Sequence, residues 1–288
     1  MSGSSSGSVT VWVEGVGLLA PGIPNWETGI DVLRGRSPYA AVPSVLPAAS
    51  LLPPAESRRA SRLVKLCLAL GLEACAGAGR AAGELASVFC SSNPDGHTIH
   101  DILECLASSE RLISPTRFHN SVHNAAAGYW SIAVRSTQPC QVLCAYDATF
   151  AAAILEATIY ACVDQVPVLM LACDSEYPEP LRACRAIPDA GGIALVLSPT
   201  QTPQSRACLQ VQLRRGPAAP APAYGRPGAA AGSAGQKENA QLSLESIASF
   251  IPALAGLPLL EALANRLSTS IDLPYSPGQS VVVQVRAC

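Results

Sequence analysis

The chain has 288 residues, a formal net charge of −2 and a composition that is 49% hydrophobic. That is enough material for one large core or two smaller ones. Nineteen basic residues face 21 acidic ones without a long basic run, which argues against a nucleic-acid partner.

Residues 1–8 are Ser/Gly-rich and lack a basic start and an apolar centre, so they read as a flexible arm and not a leader. Residues 9–17 alternate as a first strand. Asn25 or Thr28 then starts a short helix that Gly35 ends, and a Pro/Ala-rich loop runs to Pro54. Residues 56–82 predict one long helix, because Leu63, Leu66, Leu70 and Ala74 build a single apolar face. Arg58, Arg59 and Arg62 sit at its start, against the helix dipole, and so call for acidic partners elsewhere.

Residues 85–91 read as a buried strand, 92–96 as a turn and 98–107 as a helix. A polar block follows, with Pro115 and the run Phe118-His-Asn-Ser-Val-His-Asn124, which predicts a loop leading into a helix over 124–134. Residues 141–145 form a short strand, 148–162 a strongly apolar helix, and 166–173 and 191–197 two more buried strands. This alternation predicts a layered α/β fold with helices on both faces of one sheet. Further on, 208–213 is a strand, 214–239 a Pro/Ala/Gly-rich insertion, 242–267 a helical region that Pro252 and Pro258 must interrupt or bound, and 279–286 a last strand. No uninterrupted apolar stretch is long enough for an ordinary membrane helix, so no membrane insertion is expected.

The eleven cysteines do not fall into zinc spacings and mostly sit in apolar company, which fits small buried thiols. Their odd number, without a leader, favours a reducing, cytoplasmic setting. His119 and His123 are four apart, a spacing that suits a metal on one helical face, but no complete metal motif surrounds them. Neither a dinucleotide fingerprint, a P-loop nor a Gly-x-Ser-x-Gly elbow is present, so no cofactor is expected.

The strand–turn–helix over 139–157 and the polar block before it resemble the N-terminal half of the thiolase-like β-ketoacyl synthases. Within that group they most resemble the chain length factors, of which Phe118, His119, Asn120, His123 and Asn124 form a signature loop. The resemblance covers about residues 9–213, is strongest over 85–174 and is less diagnostic from Arg214 on; it implies one domain over 9–288. It implies a thiolase-like α/β/α fold and a nucleophilic cysteine where the strand turns into the helix, since a helix N-terminus favours a thiolate. Counting forward from Pro139, that position is Asp147; counting back from Cys173, it is Ala148. Neither is cysteine. Cys144 is the nearest thiol, and Asp147 is expected to cap the following helix. The family also takes its decarboxylating histidines from the later half of the fold, yet no residue after His123 is histidine.

Two missing stations imply a non-catalytic, chain length factor-like partner of an active ketosynthase. Such a partner shapes the acyl tunnel in fatty-acid- or polyketide-like extension, with aryl polyene assembly as one pathway. An acyl carrier protein would visit transiently, steered by Arg58, Arg59, Arg62, Arg111 and Arg117. Gln141, Leu143, Tyr146 and Phe150 are the expected interface or tunnel residues. The alternatives are an active synthase or acyltransferase with a rearranged centre built on Cys144, and a structural homodimer with no catalytic partner.

Overall fold

The computed structural model describes residues 7–216 and 243–288. Most of the expected arm and the expected insertion therefore lie outside the described residues. In chain order the elements are β1 (Ser8–Leu19), α1 (Trp26–Leu33), α2 (Pro54–Arg59), α3 (Arg62–Ala78), β2 (Ala86–Cys90), α4 (Gly96–Ala107), α5 (Pro115–Asn120), α6 (Ala125–Val134), β3 (Cys140–Leu143), α7 (Thr149–Asp164), β4 (Val168–Asp174), α8 (Leu181–Cys184), β5 (Gly191–Ser198), β6 (Ala207–Arg215), α9 (Leu244–Ala248), α10 (Leu257–Asn265), β7 (Thr269–Ser276) and β8 (Gln279–Ala287).

The strands form one eight-stranded sheet in the order β3-β2-β4-β5-β1-β6-β8-β7. β2 pairs in parallel with β3 and β4; every other pairing is antiparallel. β4 shows why its sequence is apolar throughout. Val168, Met170 and Ala172 join the core on one side of the sheet, and Leu169, Leu171 and Cys173 join the core on the other. A strand covered on both faces has no polar side to display.

α3 covers one face at very close range. A Cβ at Gly15 would lie 1.9 Å from the Ala74 carbonyl oxygen, and one at Gly17 would lie 2.3 Å from that of Leu70. Glycine is required there so that strand and helix backbones can touch. β1 bulges between Val13 and Gly15, which moves its inward positions from Val11 and Val13 to Val16 and Leu18. The bulged residue, Glu14, is buried and accepts from both Arg80 Nε (2.5 Å) and Nη2 (3.0 Å), and from Thr202 Oγ1.

α7 covers the other face. It touches β1, β2, β4 and β5, and also β6, β7 and β8, so the sheet curls around it. That enclosure explains its buried apolar side, whereas Ile159 and Val163 stay exposed on the side the sheet leaves open. The segment Tyr146–Asp164 is long and apolar enough to cross a membrane, unlike the expectation from sequence, but more than half of it is buried as a core helix.

The single helix expected over 56–82 is two. The chain breaks at Ala60, and Ser61 caps α3 by accepting from Val64 N. The arginines at this junction find the acidic partners that the dipole argument required. Arg59 pairs with Glu56, and Arg62 pairs with Glu176 and Asp189.

Glu73 joins three elements. From the middle of α3 its carboxylate accepts from Leu18 N (3.0 Å) and from Trp26 N (2.6 Å), tying the end of β1 to the start of α1. Burial pushes its carboxyl above the ordinary value, although these two bonds oppose the shift. Glu73→Ala strands two backbone donors and is expected to cost about 2–4 kcal/mol. Urea unfolding of the variant checks this; a loss within experimental error would show that the latch contributes nothing.

Candidate active-site elbow

β3 is the edge strand, held by parallel pairing to β2 on one side, with no strand on its other side among the described residues. Beyond Leu143 the chain turns sharply through a short 3₁₀ segment, Tyr146–Ala148, before α7 begins at Thr149. Tyr146 carries φ +51°, a left-handed conformation that is uncommon for a bulky side chain. Thr149 secures the turn: its hydroxyl donates to Tyr146 O (2.7 Å) and accepts from Ala145 N (3.4 Å).

Asp147 does not cap α7. Ala148 holds the cap position, and no side chain bonds the first turn. The intervening 3₁₀ turn carries Asp147 away from those donors, and its carboxylate instead accepts from Arg185 Nη1 at 2.5 Å. Arg185 is buried and Asp147 partly buried, and the guanidinium stacks on the Tyr146 ring with Cζ 3.8 Å from its centroid. Arg185 follows α8 and reaches the elbow from 38 residues away. The position where the resemblance placed a nucleophile is thus occupied by an ion pair under an aromatic ring.

Cys144 is exposed, and its thiol donates to Ser92 O at 3.2 Å. Behind the elbow Asp174 is fully enclosed at the end of β4. It accepts from Ser92 N (2.8 Å), Ser92 Oγ (2.7 Å) and Ala253 N (2.8 Å). Burial raises its carboxyl above the ordinary value, against the opposing effects of those bonds and of Arg185.

The signature loop divides into separate structural contacts. Pro115–Asn120 is a short helix, not the loop expected, with Pro115 in its first turn where its missing N–H costs nothing. Asn120 is buried; its amide donates to Arg59 O (2.9 Å), and its carbonyl accepts from Tyr129 O–H (3.2 Å). His119 packs edge-to-face on Tyr129 at 6.2 Å. His123 lies beyond the end of α5, and its Nε2 sits 3.1 Å from Leu143 O, where it donates to the last residue of β3. The two histidines therefore point to different partners and do not share a helical face. Phe118 and Asn124 are exposed. Among the described residues no group of three or more metal-ligating side chains converges.

Of the expected interface residues, Gln141 and Leu143 are half-buried on the edge strand and Tyr146 is 52% exposed. For Phe150 a surface contact is corrected: it is fully buried, and its ring occupies the space that a Cβ on Gly256 would need, so it packs in the core beside α7 and is not on the surface of this chain.

A family model for the β-ketoacyl synthase N-terminal domain matches residues 34–249. The chain belongs to that family. Its fold is also that of several solved synthases. A chain in the complex of the ketosynthase ApeO with its chain length factor ApeC, from Xenorhabdus doucetiae, superposes with TM-score 0.65 at 17% identity, over 96% of this chain and 99% of that one. The ishigamide ketosynthase/chain length factor superposes with TM-score 0.67 at 15% identity, over 97% and 99%. AntDE:AntF, a type II PKS acyl-carrier protein in complex with its ketosynthase bound to the hexaketide, gives TM-score 0.67 at 13% identity, over 98% and 100%. At such identities the likeness is one of fold. No curated protein sequence matches the chain.

Two consequences can be measured. Arg185→Met leaves the Asp147 carboxylate partly buried without its cation and is expected to cost about 3–5 kcal/mol. Adding Asp147→Asn should recover a large part of that loss in a double-mutant cycle; additive losses would mean that the pair is not coupled. Asp174 gives a pH signature. Its folded pKa lies above its unfolded one, so its stabilising contribution is full below the unfolded value and is lost as pH rises through the folded value. The stability of the parent relative to Asp174→Asn should therefore fall as pH is raised through and above the carboxylate range. A difference that grows with pH would reverse this assignment.

Proposed function

We propose that this chain is a non-catalytic, chain length factor-like partner of a ketosynthase, acting in polyketide- or fatty-acid-like chain extension. The observation that carries the reading is the elbow. Condensation needs a nucleophile that stores the acyl group as a thioester, and here the helix entrance holds Asp147 paired to Arg185. A carboxylate would form a mixed anhydride, which is a poor store for carbon–carbon bond formation, and this carboxylate is already engaged. The sequence also supplies no histidine after His123 to stabilise an enolate. The partner would hold the acyl thioester and perform the decarboxylation, while this chain would complete the tunnel wall.

The open edge of β3 supports an obligate pairing, because an unpaired strand edge is a ready template for another chain. Gln141, Leu143 and Tyr146 lie along or just beyond that edge. Residues 9–288 act in this reading as one domain, with 214–239 as an insertion. Carrier-protein steering narrows to Arg58 and Arg111, which are exposed and carry no ion pair among the described residues. Arg59, Arg62 and Arg117 are engaged by Glu56, by Glu176 and Asp189, and by Asp101.

A second reading, an acyltransferase using Cys144, is favoured by the exposure of that thiol. Co-expression with a candidate ketosynthase separates the two. The proposal expects a stable heterodimer by light scattering and condensation only in the pair, unchanged by Cys144→Ala in this chain. Condensation by the isolated chain, or a monomer that binds no such synthase, would reject it.

A further inference from the structure

A cleft of about 430 Å³ lies between the chain after β1, the segment after α8, and α9. That is within the size range of small-molecule sites. Hydrogen bonds fix its walls to one another. Gly22 N donates to Val42 O (2.7 Å), Ser44 N to the Asp189 carboxylate (2.7 Å) and Ser44 Oγ to Ala190 O (2.7 Å). The lining is mostly apolar and rigid. Pro21, Pro43 and Pro188 have no side-chain rotamers to lose, and Ile247 and Phe250 complete it from the α9 side.

Among the described residues two charged side chains line this cleft, and they are not equivalent. Asp189 is committed: its carboxylate accepts from Ser44 N and from Ala190 N (2.7 Å) and pairs with Arg62. Arg182 is exposed and carries no ion pair among the described residues. The cation that holds Asp147 at the elbow is Arg185, so Arg182 is a separate group. We propose that this cleft binds a small aromatic acid, with its ring system between the proline walls and Phe250 and its one carboxylate on Arg182. A guanidinium offers two parallel N–H donors to a carboxylate, which selects it over an alcohol of the same shape. The Asp189 charge on the same cleft disfavours a second anion, so a monoacid fits better than a diacid. A rigid guest between rigid walls loses little freedom on binding.

The test titrates the full chain at low salt with 2-naphthoate, 2-naphthalenemethanol and 2,6-naphthalenedicarboxylate, followed by ligand-detected NMR. Naphthoate should bind about two- to fivefold tighter than the alcohol, the scale of a solvent-accessible ion pair, and tighter than the dicarboxylate. Arg182→Gln should lower naphthoate to the affinity of the alcohol and leave the alcohol unchanged. Ala41→Phe and Ala186→Phe fill the cleft from opposite walls, and each should abolish binding of both. Circular dichroism establishes which variants are folded, and the exposed Ala41 keeps the test available if Ala186→Phe is not. Naphthoate binding no tighter than the alcohol or the dicarboxylate, a preference that survives Arg182→Gln, binding that survives a folded filled-cleft variant, or binding of no probe overturns the proposal.

Discussion

Burial of the sheet-facing side of α7 is the constraint on which the rest of the structure depends. The central strands cover one side of it and the curled β6-β8-β7 end of the sheet covers another. Ala153, Ile154, Ala157 and Ala161 lose all contact with solvent, and burial of apolar surface on this scale dominates folding. Small side chains along the helix let the sheet close tightly, and Gly256 yields its own space to Phe150. Because the helix cannot rotate or slide, the turn that enters it has a fixed position and direction. The edge strand β3, the strained Tyr146 and the Asp147 carboxylate are placed by that turn.

What the fold does with this entrance differs from what a condensing enzyme needs. An acyl-transfer centre there uses a thiolate, a base and oxyanion donors arranged around an open cavity. Here the arginine that would attract an anion is spent on Asp147, and the pair is roofed by Tyr146. The polar groups behind it are committed as well: Asp174 is saturated by Ser92 and Ala253, and His123 holds the end of β3. The signature loop acts in the same way. Asn120 bridges α2 and α6, so its side chain serves the framework of the elbow rather than a reaction.

The central strands β2, β4 and β5 were legible because they are apolar on both faces, and α3 because its apolar positions repeat at helical spacing before Gly79 ends it. β7 was missed. Its residues Ile271 and Leu273 alternate with exposed Ser270 and Asp272, but Pro274 obscures the pattern, which is tolerated on an edge strand. The break between α2 and α3 was hidden by an uninterrupted run of helix-forming residues, where Ser61 was the available signal. At the elbow the location was readable and the partners were not. No local pattern connects Asp147 with Arg185, and the N-cap expectation failed because a 3₁₀ turn intervenes before the first turn of α7. Phe150 looked like a contact residue because a single strand–helix segment does not reveal that the sheet will curl over it.

The proposed role requires that this entrance carry no acyl group. The most direct measurement is the intact mass of each subunit after the purified ketosynthase pair is incubated with an acyl carrier thioester. The account predicts one acyl adduct on the ketosynthase and an unmodified mass for this chain. A stoichiometric adduct on this chain, lost on Cys144→Ala, would contradict it.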